Sequence, residues 1–199
     1  MPYSDFTIEK VKAGFNLTID ESKILFPELS IVSPSFLLGE WLRQYAPLAT
    51  AINTEKSRSE FLIAPILAEV RSQLKDQVAL FSGVDFNVDP TVGLTGFCDF
   101  LFSASPEQLY IDAPVVTVVE AKNENIKAGL GQCIAEMVAA QLFNQQRDRS
   151  ISTVYGVVTT GEIWKFLVLE AQAVAVDKQS FYIANIEQIL GVFKIILEY

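Results

Sequence analysis

The 199-residue chain contains no histidine, and only two cysteines, Cys98 and Cys133. Without histidine there is no Ser-His-Asp or Cys-His nucleophile system, no imidazole general base and no imidazole metal ligand. Two cysteines far apart in sequence make neither a zinc site of the usual kind nor a disulfide framework, and such sparse use points to a reduced, cytoplasmic interior. No apolar run approaches the length of a membrane span, so no membrane partner is expected. The N-terminal Met-Pro-Tyr-Ser-Asp-Phe lacks the basic-then-apolar order of a secretory signal, and none is expected. A basic run is also missing. Fifteen Lys and Arg are scattered among 24 Asp and Glu, for a net charge of −9. That balance speaks against tight, independent, sequence-neutral binding to nucleic acid, which relies on a basic face. Carboxylates, lysines and hydroxyls remain for chemistry, a set suited to a hard cation, Mg²⁺ or Mn²⁺, on oxygen ligands.

Half the residues are hydrophobic and 20% are charged, the composition of a globular chain large enough to bury a sizeable core. One domain over 1–199 is expected, with a helical extension over 1–50, a core over 54–170 and a C-terminal helix over 185–199. Ser4 or Asp5 is the expected cap of a first helix reaching about 12 and ending at Gly14, before an extended piece at 17–19. Ser35 caps a helix over 36–45 that Pro47 ends, with Leu37, Leu38, Trp41 and Leu42 as its apolar stripe. A longer helix starts at Asn53 or Thr54, carries Glu60 and Glu69, is broken near Ala64 by Pro65 and runs to 77. Extended runs follow at 78–88 and 95–103, parted by turn chemistry at 89–93. After the strand at 114–122 come a helix over 127–147, strands at 153–159 and 162–170 joined at Thr160-Gly161, an edge segment within 172–183, and a helix over 186–197 capped by Asn185. Gly129 and Gly131 allow close packing near the start of the long helix. The order predicts an α/β fold: a mixed central sheet flanked by helices on both faces.

The chain is organised around 114–122, Pro-Val-Val-Thr-Val-Val-Glu-Ala-Lys. Consecutive β-branched residues favour a strand, and an unbroken apolar run favours one buried on both faces. Glu120 and Lys122, two apart, point the same way. Charges at the end of a buried strand are unfavourable unless paired, metal-bound or set at a cleft. Asp99 is the lone charge in the apolar run 97–102, where alternation puts Phe97, Asp99 and Leu101 on one face and Cys98, Phe100 and Phe102 on the other. Gln132 and Glu136 stand one turn apart on the following helix. Glu-x-Lys alone arises roughly once by chance in a chain this long. A second copy, Glu21-Ser22-Lys23, has no such context and is assigned no role. Asp85 is a rival acid in a more polar segment.

Asp99, then Glu120-Ala121-Lys122, then Gln132 on the next helix, with Glu60 on a preceding one, resembles the pattern of the PD-(D/E)xK nuclease superfamily. The resemblance spans 60–166 and departs from the family pattern at Cys98, where that pattern has proline. It implies a restriction-endonuclease-like fold and Mg²⁺- or Mn²⁺-dependent hydrolysis of phosphodiester bonds in DNA or RNA. Asp99, Glu120 and the Ala121 carbonyl are then the metal ligands. Lys122 orients water and stabilises developing charge, Gln132 bonds a phosphate oxygen or the water, and Glu60 holds a second metal or a metal-bound water. The acidic charge motivates an alternative: a catalytically weak or inactive accessory module, working as a homodimer or with a protein partner. A metal hydrolase of small phosphate substrates is a third reading. On the residues alone, Glu120–Lys122 as an inert ion pair, Asp99 as a metal-free partner of Lys122, and Gln132 and Glu60 as solvated helix residues also remain open.

Overall fold

All seven residues Val115–Ala121 are buried, in a strand interior to the sheet. The computed structural model describes residues 2–75 and 77–198. Met1 and Tyr199, at the ends of the expected domain, and Asp76, within the expected helix to 77, lie outside the described residues. The strands are β1 (Thr18–Asp20), β2 (Ala79–Asp85), β3 (Phe97–Ser103), β4 (Val115–Ala121), β5 (Thr153–Thr159), β6 (Ile163–Glu170), β7 (Ala173–Val176) and β8 (Phe181–Tyr182). They form one sheet in the order β1-β7-β6-β5-β4-β3-β2, with β8 pairing β6 beyond the end of β7. β4–β5 and β1–β7 are parallel and the other pairs antiparallel, so the sheet is mixed. The helices are α1 (Ile8–Phe15), α2 (Phe36–Ile52), α3 (Glu55–Arg58), α4 (Ala64–Gln73), α5 (Ile126–Gln146) and α6 (Ile186–Leu197).

The sheet divides the core in two. On one side α1 and α5 pack Val11, Cys133, Ile134 and Met137 against Leu101, Val118 and Val158. On the other, α4 and α6 pack Ile66, Leu67, Ile189 and Phe193 against Phe102, Val119, Trp164 and Phe166. The parallel β4–β5 pair requires a crossover, and α5 supplies it. Gly131 lets α5 close on the chain entering α1; a Cβ there would lie 2.5 Å from the Phe6 carbonyl oxygen.

Several helix ends differ from the sequence reading, each for a local reason. Residues Tyr3–Asp5 make a 3₁₀ turn, and Thr7 rather than Ser4 or Asp5 caps α1 by accepting from the Lys10 N–H. Ser35 caps α2 as expected, and Glu69 accepts from both the Ser35 N–H and hydroxyl. Pro47 does not end α2, which runs on to Ile52. Proline at 47 deprives the carbonyl of Arg43 of its helical donor, and Arg43 is exposed, on a side of the helix where solvent can take the donor's place. Pro65 does not open a gap in its helix, whose backbone stays helical through Ile63 and Ala64, but it does change the hydrogen-bond pattern there. It sits where Ser59–Ile63, a π-helical stretch, gives way to α4, and the carbonyl it strands, that of Phe61, accepts from the Trp41 indole N–H at 2.9 Å. Asn185 stands at the N-cap of α6 without a side-chain capping bond.

At the start of β4, Asn144 of α5 replaces a strand neighbour. Its Oδ1 accepts from the Val115 N–H at 2.7 Å and its Nδ2 donates to the Val115 carbonyl at 2.8 Å, beside the register shift between Phe102 and Ser103. Asn144→Leu strands two buried backbone groups. It is expected to destabilise the fold by about 2–4 kcal/mol, at roughly 2–4 °C of Tm per kcal/mol for this size. Thermal unfolding followed by circular dichroism measures it, and an unchanged Tm contradicts the account.

Candidate functional site

β3 and β4 stay paired as far as Phe100 and Val119. Beyond that point Asp99 reaches across in place of its backbone: its Oδ2 accepts from the Ala121 N–H at 2.8 Å. On the other side of β3 the neighbouring pairs place Gly83, with φ +60°, opposite Asp99, and no pair forms between these two. Glycine in a strand marks such distortion. The expected alternation fails here. Cys98 packs with Leu101 on the α5 side, while Phe100 and Phe102 pack on the α4 side. Asp99 and Ala121 line an open depression of about 230 Å³ with Glu55, Lys56, Ser59 and Glu60.

Glu120 and Lys122 point toward α5. Glu120 is 1% exposed, and its Oε1 accepts from the Lys122 ammonium. The ammonium also meets Gln132 Oε1 at 3.5 Å, the long end of hydrogen bonding. Gln132 Nε2 donates to Glu136 Oε1 at 3.1 Å. Glycine at 129 lets α5 approach: a Cβ there would lie 2.7 Å from Val158 Cγ1 and 3.0 Å from Lys122 Cγ. The second oxygens of Glu120 and Glu136 are buried and accept from no N–H or hydroxyl among the described residues, and the two carboxyl groups stand within hydrogen-bonding reach of one another, so a proton on one is shared with the other.

No protein-family model matches the chain. No curated protein matches it either.

These carboxyl groups are crowded, and their affinities for protons show it. Burial first and the Asp99 charge second raise the Glu120 carboxyl to about 8, against the opposing Lys122 ammonium. Glu136 is pushed well above the carboxylate range, first by burial and then by the Glu120 charge. Burial raises Asp99 as well, against the Ala121 N–H and the Lys122 charge. Burial alone would lower the Lys122 ammonium, yet Glu120 wins and holds it above its ordinary value. Burial also keeps the thiols of Cys98 and Cys133 protonated, and both are small core residues.

Asp99, Glu120, Lys122 and Gln132 thus converge at the open ends of β3 and β4 and the start of α5. For Ala121 the contact made is through its N–H. Glu60 stands across the depression, half exposed and paired with Lys56 at 2.7 Å. Asp85 is exposed on the edge strand, opposite Phe97, and Lys23 of the second Glu-x-Lys copy pairs with Asp20 at the surface. Among the described residues, no group of three or more Cys, Asp or Glu side chains is arranged to hold a metal ion. The two carboxylates Asp99 and Glu120 nevertheless suit a hard cation in donor type. The Glu120 Oε2 that no N–H or hydroxyl serves and the raised proton affinities of both acids mark a place short of positive charge. Glu136 is the member the sequence reading left without a role. Its signal was present: it is the one acid in the apolar run 133–140, one turn from Gln132.

The folded-state affinity of Glu120 lies above its unfolded value near 4.5, so the folded chain binds the extra proton between them. That stability is present below the lower value and is lost as pH rises through the upper one. Tm is therefore expected to fall between about pH 5 and about pH 8.5, and to fall less in Glu120→Gln. Differential scanning calorimetry across this window checks it; a wild-type Tm that climbs with pH refutes the assignment.

Proposed function

We propose that the chain is a metal-dependent phosphodiesterase of the PD-(D/E)xK kind, hydrolysing DNA or RNA with Mg²⁺ or Mn²⁺. The observation that carries this reading is the buried Glu120–Lys122 pair at the open end of an interior strand, with a Glu120 oxygen that no N–H or hydroxyl serves and Asp99 beside it. A pair placed only to stabilise the fold gains little from burial, whereas one placed for chemistry needs dry, fixed surroundings.

Asp99 and Glu120 are the residues that hold the ion, which when bound neutralises charge on the phosphate and lowers the pKa of water. Lys122 is a fixed positive charge. Held by Glu120 and stacked on Gly129, it stays protonated and stabilises negative charge developing on the phosphate oxygens. Gln132 presents its carbonyl to the Lys122 ammonium and restrains its direction. Glu60, across the depression, would steady a second ion or its water.

A non-catalytic accessory module is the second reading, and the charge of the depression favours it. Glu55, Glu60 and Asp99 face it against Lys56, and the whole chain is at −9, so a polyanion meets repulsion before any ion is bound.

Incubation of the purified chain with single- and double-stranded DNA and with RNA, in Mn²⁺ and in Mg²⁺, decides between the two. Wild type is expected to cleave at least one of these, and Glu120→Ala/Lys122→Ala to lose about 100-fold or more. Equal residual activity in the two proteins ends the phosphodiesterase reading.

A further inference from the structure

Glu136 is a carboxylic acid on the buried face of α5, 0% exposed, among Cys133, Ile134, Met137, Ala139 and Ala140. An apolar residue there would pack without the penalty of a buried carboxyl. Its Oε1 accepts from Gln132 Nε2, and its carboxyl also stands in hydrogen-bond contact with that of Glu120. The proposed function gives Glu136 no part.

The partners of Gln132 fix which way its amide faces. A lysine ammonium only donates, so the atom facing Lys122 Nζ must be the carbonyl Oε1. The NH₂ then points the opposite way and needs an acceptor. Glu136 Oε1 at 3.1 Å is that acceptor. Turning the amide by half a rotation would set its NH₂ against the ammonium and its carbonyl against a carboxyl oxygen. Residues 132 and 136 share a helix face one turn apart, so the contact is held by the backbone of α5.

We propose that Glu136 is a positioning residue: its buried oxygen locks the Gln132 amide with the carbonyl toward Lys122, and thereby holds the ammonium against Glu120. The consequence for turnover rests on the phosphodiesterase reading of the site; the locking of the amide does not. Glu136 touches no reacting group in this account, so its removal acts through Lys122 direction and lowers kcat with little change in KM.

The test compares Glu136→Met, which keeps the length and removes the acceptor, with Glu136→Gln, which keeps an oxygen at the same reach. The Gln132 side-chain NH₂ signals, assigned in ¹H–¹⁵N spectra by their loss in Gln132→Leu, are expected to be shifted and slowly exchanging in wild type and Glu136→Gln. In Glu136→Met they move to free-amide values. Cleavage in Mn²⁺ is expected to lose about 10–100-fold in kcat in Glu136→Met, with Glu136→Gln recovering most of it, while Tm of Glu136→Met holds or rises. Unmoved Gln132 signals in a folded Glu136→Met overturn the proposal, as does an unchanged kcat in an active enzyme. A wild type inactive on every nucleic acid, with the amide signals moving as described, overturns the phosphodiesterase reading and sustains the orientation of Gln132.

Discussion

A strand buried on both faces has to find a protein partner for every backbone group, because water reaches none of them. β4 meets that demand along most of its length through β3 and β5, but β5 joins it only from Thr117 and β3 leaves it after Val119. Asn144 closes the first end and Asp99 the second. The two solutions differ in charge. An amide both donates and accepts, and it satisfies Val115 completely. A carboxylate only accepts, so Asp99 settles the Ala121 N–H and brings a negative charge to a place where Glu120 already stands. The crowding of acids follows from how the sheet ends.

That crowding sets the chemistry of the site. The Asp99 charge raises the proton affinity of Glu120, both raise that of Glu136, and Lys122 is the cation set among them. In a poorly solvated setting one ammonium does not support three carboxylates, so the excess negative charge is relieved by protons or by a bound cation. The two compete for the same oxygens. Proton retention by Glu120 near neutral pH and the proposed affinity of the same oxygens for a hard ion would be two expressions of one shortage of positive charge.

Much of this was legible from residue order. Five β-branched residues in succession located β4, the two-residue spacing put Glu120 and Lys122 on one side, and the four-residue spacing put Gln132 and Glu136 on one helix face. What could not be read lay in tertiary context. Pro47 and Pro65 look alike as helix breakers, yet one strands an exposed carbonyl and the other a carbonyl that Trp41, twenty positions earlier than Phe61, must serve. Strict alternation misplaced Cys98 relative to Phe100 because Gly83, on a neighbouring strand, leaves Asp99 unpaired. Glu136 was visible as an acid in an apolar run, but its place in the site depended on how closely α5 approaches Lys122, which Gly129 permits.

Net charge and local charge weigh differently on function here. The exposed acids that give the chain its −9 are scattered, and at physiological ionic strength screening over about 8 Å mutes what they exert on a distant phosphate. Glu120 is shielded from that screening by burial and Asp99, half-buried, in part, and on the proposed reading they stand where a phosphate would have to come. The overall acidity is thus a weak objection to a nucleic-acid substrate, and Asp99 with Glu120 a strong one, unless a cation sits between them. With such an ion bound, the same carboxylates change from a barrier to an anchor, because they fix the positive charge that a phosphodiester seeks. Whether the domain acts as an enzyme or as an accessory module turns on those few oxygens more than on the charge of the surface around them.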